Sequence, residues 1–268
     1  MRDPSSAADF RSLRFLKLQR LPCCTQLPNG LCCLPCLEAL FIEDAPAIKR
    51  IGPEFQAPSS LPAGDTAIAL ATPFPKLRHL YLEGLCECEE WKWNDDSCDE
   101  KQQGSAKAAI AMPCLERLLI KDCKLSCLPP GLATSKRQAL RELWLYNLVN
   151  LTSVENLPSV VDLDVVDCPK LKSISGLSRL HKIKIFRCPD VEVLEGVPVL
   201  DSLGLKDATI ETLPLYLPAV SPRYLSLSCN KKLYGSLSSP GSSSGTRSAT
   251  SESARSAPWK VEMKTRRN

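Results

Sequence analysis

The sequence predicts an α/β solenoid shaped like a horseshoe. Short parallel strands would form its concave sheet, and short 3₁₀ or helical turns would return the chain along the convex side. Three observations predict it. A four-position apolar template occurs eight times among the 268 residues, its last three intervals are 20 residues each, and apolar residues three apart follow several copies. A 20-residue repeat leaves no room for a long helix, so helix content should be low.

The template reads L-x-x-L-x-L-x-x-(C/A/L/N), with Ile or Val in place of Leu in several copies. Its two central apolar positions alternate with variable ones, so both side chains point to one face of a short strand. Parallel stacking of such strands buries a continuous core and gives the leucine-rich-repeat solenoid. The copies are Leu13-Leu16-Leu18-Leu21, Leu37-Leu40-Ile42-Ala45, Leu77-Leu80-Leu82-Leu85, Leu115-Leu118-Ile120-Cys123, Leu140-Leu143-Leu145-Leu148, Val160-Leu163-Val165-Cys168, Leu180-Ile183-Ile185-Cys188, Leu200-Leu203-Leu205-Ala208 and a degenerate Leu225-Leu227-Asn230.

The fourth template position turns the chain away from the strand. Cys123, Cys168 and Cys188 occupy it in three copies, which predicts that they are buried structural thiols. The return segments 148–154 (L-x-x-L-x-x-V) and 169–177 (P-x-L-x-x-I-x-x-L) place apolar residues three apart. That spacing favours short 3₁₀ turns or single helical turns on the convex side.

The repeat boundaries predict the domain organisation. Residues 1–12 form a lead-in, and residues 13–234 form one solenoid of about nine repeats. Two intervals are long, so loop insertions are expected near 53–75, which is rich in Pro, Ala and Ser, and near 92–112. Residues 235–268 are Ser-rich and basic, and are expected to be a disordered tail.

Charge and hydropathy exclude several partners. The formal net charge is +4, but residues 235–268 hold six basic and two acidic residues, so residues 1–234 carry 28 of each. A folded part of zero net charge argues against nucleic acid as a partner. No apolar run approaches the roughly 18–20 residues that cross a bilayer, so no membrane contact is expected. The N-terminus shows no apolar segment with a cleavage site, which predicts a cytoplasmic protein, with the nucleus as a second compartment.

Cysteine and histidine do not predict catalysis or a metal site. Cys33-x-x-Cys36 has a zinc-like spacing but lacks a second ligand pair, and most of the 14 cysteines are expected to be free thiols. His79 and His181 fall on predicted strands with no nucleophile in a recognisable turn nearby. We therefore expect no enzyme activity, metal, cofactor or small-molecule substrate.

The variable positions of the predicted strands line the concave face. Phe41, Tyr81, Trp144, Tyr146 and Phe186 fall there as a discontinuous aromatic ridge. Aromatic anchors with charged neighbours are typical of protein-binding surfaces. The predicted protein-binding residues are these five and Lys184. The alternative is that these side chains shield the sheet or contact a domain absent from this chain.

Several segments resemble the repeat cassettes of one protein family. Residues 74–82 (FPKLRHLYL), 89–91 (EEW), 112–123 (MPCLERLLIKDC) and 128–132 (LPPGL) are similar to plant intracellular disease-resistance receptors. These are the coiled-coil type of nucleotide-binding leucine-rich-repeat proteins, and the resemblance covers roughly residues 10–234.

The resemblance implies a sensor role in plant innate immunity. Such a module recognises a pathogen effector or a guarded host protein, or regulates a nucleotide-binding switch domain. The sequence contains no G-x-x-x-x-G-K-[ST] loop, so nucleotide binding is not carried over, and we interpret the chain as the repeat region without its switch domain. The alternative function is a leucine-rich-repeat adaptor, such as a substrate-recognition subunit of a ubiquitin ligase.

Overall fold

The protein is described here by a computed structural model covering residues 10–28, 30–52, 55, 72–91, 112–129, 132, 139–229, 233 and 260–263. Every template copy forms a strand. The strands, in chain order, are β1 (Phe15–Gln19), β2 (Ala39–Glu43), β3 (Arg50–Ile51), β4 (His79–Glu83), β5 (Glu90–Trp91), β6 (Arg117–Cys123), β7 (Glu142–Leu148), β8 (Ser153–Glu155), β9 (Asp162–Val166), β10 (Ser173–Ser175), β11 (Lys182–Phe186), β12 (Val193–Glu195), β13 (Ser202–Lys206), β14 (Tyr224–Ser228) and β15 (Lys260–Met263).

Within the described residues, ten strands form one parallel sheet in the order β1-β2-β4-β6-β7-β9-β11-β13-β14-β15. The alternation in each strand separates core from surface. In β4, Leu80 and Leu82 are fully buried, whereas Tyr81 between them is half-buried on the opposite face. Leu80 lies in register with Leu40 of β2 and Leu118 of β6. Burying each such side chain contributes about 1.5–3 kcal/mol, so the stacked rows hold the solenoid together.

The return segments differ from the prediction of 3₁₀ turns. The segments β8, β10 and β12 are strands that form a second, three-stranded parallel sheet. Their central residues Val154, Ile174 and Leu194 are buried. The three-residue spacing of apolar positions arises because each short strand is flanked by turns that also contribute a buried residue, and β-branched Val154 and Ile174 favour the extended backbone.

Helical segments in the described part are short. A 3₁₀ helix covers Leu31–Cys33 and a single α-helical turn covers Leu217–Val220. The predicted solenoid with a parallel sheet and low helix content is therefore confirmed. The described part contains no helix long and apolar enough to cross a membrane.

Most strands of the concave sheet end at a residue whose backbone φ is positive, in the left-handed region. It lies one position before the fourth template position and lets the chain turn sharply into the core. These residues are Arg20, Asp44, Gly84, Asp122, Asn147, Asp167 and Arg187. Asp, Asn and Gly tolerate positive φ better than other residues, so their recurrence at this position was a signal in the sequence that the template did not use.

The turn after β13 departs from this pattern. Asp207 is buried, and its Oδ1 accepts hydrogen bonds from the Thr209 backbone N–H (2.8 Å) and the Thr209 hydroxyl (2.6 Å). Ala208, which the template assigned to the buried fourth position, is exposed. The Asp207 carboxylate organises this turn and leaves Ala208 outside the core.

Parts of the predicted insertions belong to the core. Phe55 and Phe74 are buried, and their ring centroids lie 5.0 Å apart. Phe55 also packs edge-on against Trp91 of β5 at 6.0 Å. Residues 53–54, 56–71 and 92–111 of the insertions lie outside the described residues.

The described residues 260–263 of the predicted tail form a strand. Residues of β15 pair in parallel with β14, and Val261 and Met263 lie in register with Leu225 and Leu227. The prediction of a disordered tail did not anticipate this strand. The other residues of 235–268 lie outside the described residues.

Candidate functional site

An aromatic ridge crosses the concave face of the first half of the solenoid. We define it as Phe15, Phe41, Tyr81 and Trp144, which lie on β1, β2, β4 and β7. The Phe41 and Tyr81 rings are stacked with centroids 4.4 Å apart and an interplanar angle of 8°. Phe15 packs on Phe41 at 5.0 Å, and Tyr81 lies 6.2 Å from Trp144.

The rings from Phe15 to Trp144 form a continuous series of contacts, whereas the predicted ridge also included Tyr146 and Phe186, which lie in the groove described below. Tyr81 and Trp144 are on strands separated by β6, where half-buried Leu119 lies in register between them. The two rings lean over Leu119 and approach each other. Aromatic pairs of this kind contribute about 0.5–1.5 kcal/mol beyond area burial, so the ridge is held in a fixed arrangement before any partner arrives.

Paired charges border the ridge on one side. Lys17 binds Glu43 at 2.8 Å, and Lys121 binds Glu83 at 2.5 Å. Glu43 and Glu83 lie in register on the adjacent strands β2 and β4. Each carboxylate is paired with a lysine from the strand on its far side, Lys17 on β1 and Lys121 on β6. The hydrogen bond to Glu83 raises the pKa of the Lys121 ammonium.

A second row of paired charges borders the ridge at the start of the strands. Arg14 lies 3.8 Å from Glu38, and Arg78 binds Glu116 at 2.6 Å. The hydrogen bond from Arg78 lowers the pKa of the Glu116 carboxyl. Both borders are therefore locally neutral, although they are rich in charge.

A shallow groove of about 680 Å³ continues the concave surface in the second half of the solenoid. Its floor is formed by Tyr146, Val166 and Phe186, which are register neighbours on β7, β9 and β11. The groove joins the ridge at β7, where Trp144 and Tyr146 lie two residues apart on the same face. Ridge and groove together form one apolar strip that runs diagonally across the strands.

Ion pairs and hydrogen bonds form the walls of the groove. Lys184 binds Asp164 at 2.7 Å, Arg187 binds Asp167, and the Asn147 amide donates to Asp122 at 2.7 Å. Asp164 holds the pKa of the Lys184 ammonium above its usual value. Burial raises the pKa of Tyr146, and Asp164 adds to this effect. Lys184 thus lies in the wall of the groove, and its charge is paired with that of Asp164.

The six predicted site residues all lie on the concave face. Phe41, Tyr81 and Trp144 belong to the ridge, and Tyr146, Lys184 and Phe186 belong to the groove. The predicted protein-binding residues did not include Phe15, Val166 or Asp164, although Val166 and Asp164 were expected at variable positions of the concave face. Phe15 could have been found, because it precedes Leu16 in the same alternation. Whether these residues bind a partner remains a proposal.

The described residues offer no metal centre, since they contain no cluster of three or more His, Cys, Asp or Glu side chains arranged to hold a cation. His79 is half-buried on β4, and burial lowers its pKa, with Arg117 as the second cause. His181 is exposed just before β11. The cysteines in the described part are free thiols, and Cys123, Cys168 and Cys188 are buried as predicted.

No protein-family model matches the chain, and no curated protein matches it. Among solved structures it is similar to the leucine-rich repeat domain of the type III effector XopL, with 20% identity and a TM-score of 0.50. The match covers 73% of this chain and 64% of that chain, so this chain spans less than two-thirds of the solved one. At this identity the likeness concerns the fold. The chain has the leucine-rich-repeat solenoid fold.

Proposed function

We propose that this chain is a non-catalytic protein-recognition module of plant innate immunity, acting in the cytoplasm or nucleus. Its partner is a pathogen effector, a guarded host protein or a nucleotide-binding switch domain. The immune assignment is supported by the resemblance of segments 74–82 and 112–123 to disease-resistance receptor cassettes. The binding assignment is supported by the apolar strip on the concave face.

One observation carries the proposal, which is the composition of that strip. Its centre is aromatic and aliphatic, with stacked rings from Phe15 to Trp144 and the groove floor beyond. Its borders are charges already paired within the chain, such as Lys121 with Glu83 and Lys184 with Asp164. An apolar centre within a polar rim is the usual anatomy of a protein interface.

The groove also favours a particular shape of ligand. The groove residues lie on four adjacent strands, from β6 with Lys121 to β11 with Phe186, and Lys206 on β13 is the next residue in register. These five strands span about 19 Å at the usual strand spacing. An extended peptide of about six residues covers that distance. We propose that the partner presents such a segment, with an apolar side chain over the Val166 and Phe186 floor.

Lys206 indicates which end of the bound segment would carry a negative charge. Its ammonium lies 5.8 Å from the centre of the Phe186 ring. Within the described residues no carboxylate forms an ion pair with it. A carboxylate on the partner at the β13 end of the groove would therefore meet an available cation.

The test is quantitative binding with matched variants. Purified full-length chain is screened by biolayer interferometry against a panel of effectors and nucleotide-binding switch domains. Trp144→Ala/Tyr146→Ala should weaken a captured partner by at least about thirty-fold, as expected from losing 2 kcal/mol or more at a hot spot. Val199→Ala is the control, because Val199 is an exposed apolar residue outside the strip.

The outcomes separate the site from the function. Equal weakening by the control variant, or none by the double variant, would refute the strip as the binding site. Binding only to unrelated proteins, with no effector or switch domain captured, would refute the immune assignment. Far-UV circular dichroism of each variant must match the wild type for the comparison to stand.

A further inference from the structure

Two buried cysteines occupy equivalent positions in neighbouring coils. Cys168 and Cys188 hold the fourth template position after β9 and β11, which pair in register. The backbone N–H of Cys168 donates a hydrogen bond to Cys188 Sγ at 3.4 Å. The Cys188 thiol lies 3.8 Å from the carbonyl of Val165, on the neighbouring strand. The Cys188 sulfur therefore lies beneath the backbone of the preceding coil.

The spacing of these coils suits a covalent bridge. Neighbouring strands lie about 4.8 Å apart, and disulfides form between Cα atoms about 4.4–6.8 Å apart. Cys123 provides a contrast at the same position, because it lies in register with Leu148 and the fourth template position of the preceding coil is Leu85. Among the described residues, only Cys168 and Cys188 are cysteines at adjacent fourth positions.

The two sulfurs differ in their environment. Hydrogen bonds from the Cys168 thiol and backbone N–H lower the pKa of Cys188, because both stabilise its thiolate. The neighbouring Cys188 side chain, together with burial, raises the pKa of Cys168. Because the backbone N–H of Cys168 donates to its sulfur, Cys188 is assigned as the nucleophile of the pair.

The nucleophile also has access to a small oxidant. Cys188 lines a cavity of about 280 Å³ that is also bordered by Asp207, Thr209 and Tyr216. Asp207, whose buried carboxylate organises the turn after β13, forms part of the wall of this cavity. Cys168 is fully buried and does not line that cavity.

We propose that Cys188 and Cys168 form a redox pair that a hydroperoxide converts to a disulfide between adjacent coils. The Cys188 thiolate attacks a peroxide oxygen, an S–O bond forms, the O–O bond breaks, and the leaving alkoxide or hydroxide takes up a proton. The sulfur is oxidised by two electrons and the peroxide is reduced. The Cys168 sulfur then attacks the Cys188 sulfenic acid, an S–S bond forms, the S–O bond breaks, and water leaves with the thiol proton.

The location of the pair gives the modification a consequence. Cys168 and Cys188 each lie two residues beyond Val166 and Phe186 on the groove floor. The Cys188 thiol currently donates to the Phe186 carbonyl at 3.3 Å, and the disulfide removes that donor. The oxidised form therefore changes the backbone contacts directly behind the groove.

Peptide mapping of the folded full-length chain tests the proposal. Dilute wild-type protein is treated with hydrogen peroxide, quenched by alkylation, and digested without reduction for mass spectrometry. We expect a Cys168–Cys188 disulfide while Cys123 remains an alkylated thiol. In the variant Cys168→Ser, dimedone should label a sulfenic acid at Cys188, whereas Cys123→Ser should leave the disulfide unchanged.

Two results would overturn the redox pair. The first is that Cys168 and Cys188 remain free thiols in the folded wild type until denaturant is added. The second is that Cys188 forms bridges with several cysteines without preference for Cys168. Because the wild-type map needs no substitution, it decides the matter even if a variant fails to fold.

Discussion

Removing one apolar side chain from the middle of the solenoid should cost far more stability than removing one from its first strand. Leu143 in β7 is fully buried and lies in register between Leu118 and Leu163. Leu143→Ala deletes three carbon atoms, which loses about 2.4 kcal/mol of transfer free energy. The cavity left between two rigid neighbouring coils adds about 1 kcal/mol. We expect a loss of roughly 3–4 kcal/mol in the free energy of unfolding.

Leu16→Ala in β1 is the matched control. Leu16 is only partly buried, because β1 is at the edge of the sheet within the described residues, where only β2 pairs with it. Its loss should be about half as large, roughly 1–2 kcal/mol. Urea unfolding followed by far-UV circular dichroism measures both. Equal losses for the two variants, or less than about 1 kcal/mol for Leu143→Ala, would refute the stacked-coil arrangement.

Two further predictions concern turns and charge. Gly176→Ala should destabilise the fold by about 1–3 kcal/mol, since its φ is positive and a Cβ would lie 2.9 Å from the Asn156 side-chain oxygen. In urea unfolding Gly30→Ala should cost less, because its Cβ meets nothing within 4 Å, and the reverse order would contradict the turn geometry. The folded-state pKa of Glu116 is lowered by Arg78, so its contribution is present above the unfolded value near 4.3 and is lost as pH falls through the folded pKa. Glu116→Gln should therefore reduce the pH dependence of the unfolding free energy on the acid side, and an unchanged profile would rule out the ion pair.

The fold follows from the sequence because the core is built from one repeated rule. Pairs such as Leu80 and Leu82 specify both the inward face and the register, and no distant information is needed. The return strands could not be predicted from the sequence in this way, because apolar residues three apart fit both a 3₁₀ turn and a short strand flanked by turns. Packing of Val154 against Ile174 in the neighbouring coil selects the strand.

Long insertions hide contacts that the sequence alone does not reveal. Phe55 and Phe74 stand at opposite ends of one insertion, so their contact cannot be inferred from a local pattern. The same holds for β15, which reaches β14 from within a Ser-rich, basic tail. In both cases the contacting residues are far apart in the sequence and have no periodic relation.

The candidate site was predictable in its residues but not in its shape. Alternation along the strands placed Phe41, Tyr81 and Trp144 on the concave face. Their continuity depends on side chains leaning across β6 over Leu119, which no spacing encodes. The Lys184–Asp164 pair could have been found, because the two residues hold the same variable position in coils 20 residues apart.

Hydroxyl-radical footprinting resolved by residue tests the central claim most directly. The claim is that consecutive residues of each strand face opposite sides, with Leu143 and Leu145 buried and Trp144 accessible. After normalisation to the denatured chain, Trp144 and Tyr81 should be modified readily while their immediate neighbours are protected, and buried Trp91 should be protected as well. Uniform protection along these strands, or protection of Trp144 with modification of Leu143 and Leu145, would contradict the solenoid and the binding surface built on it.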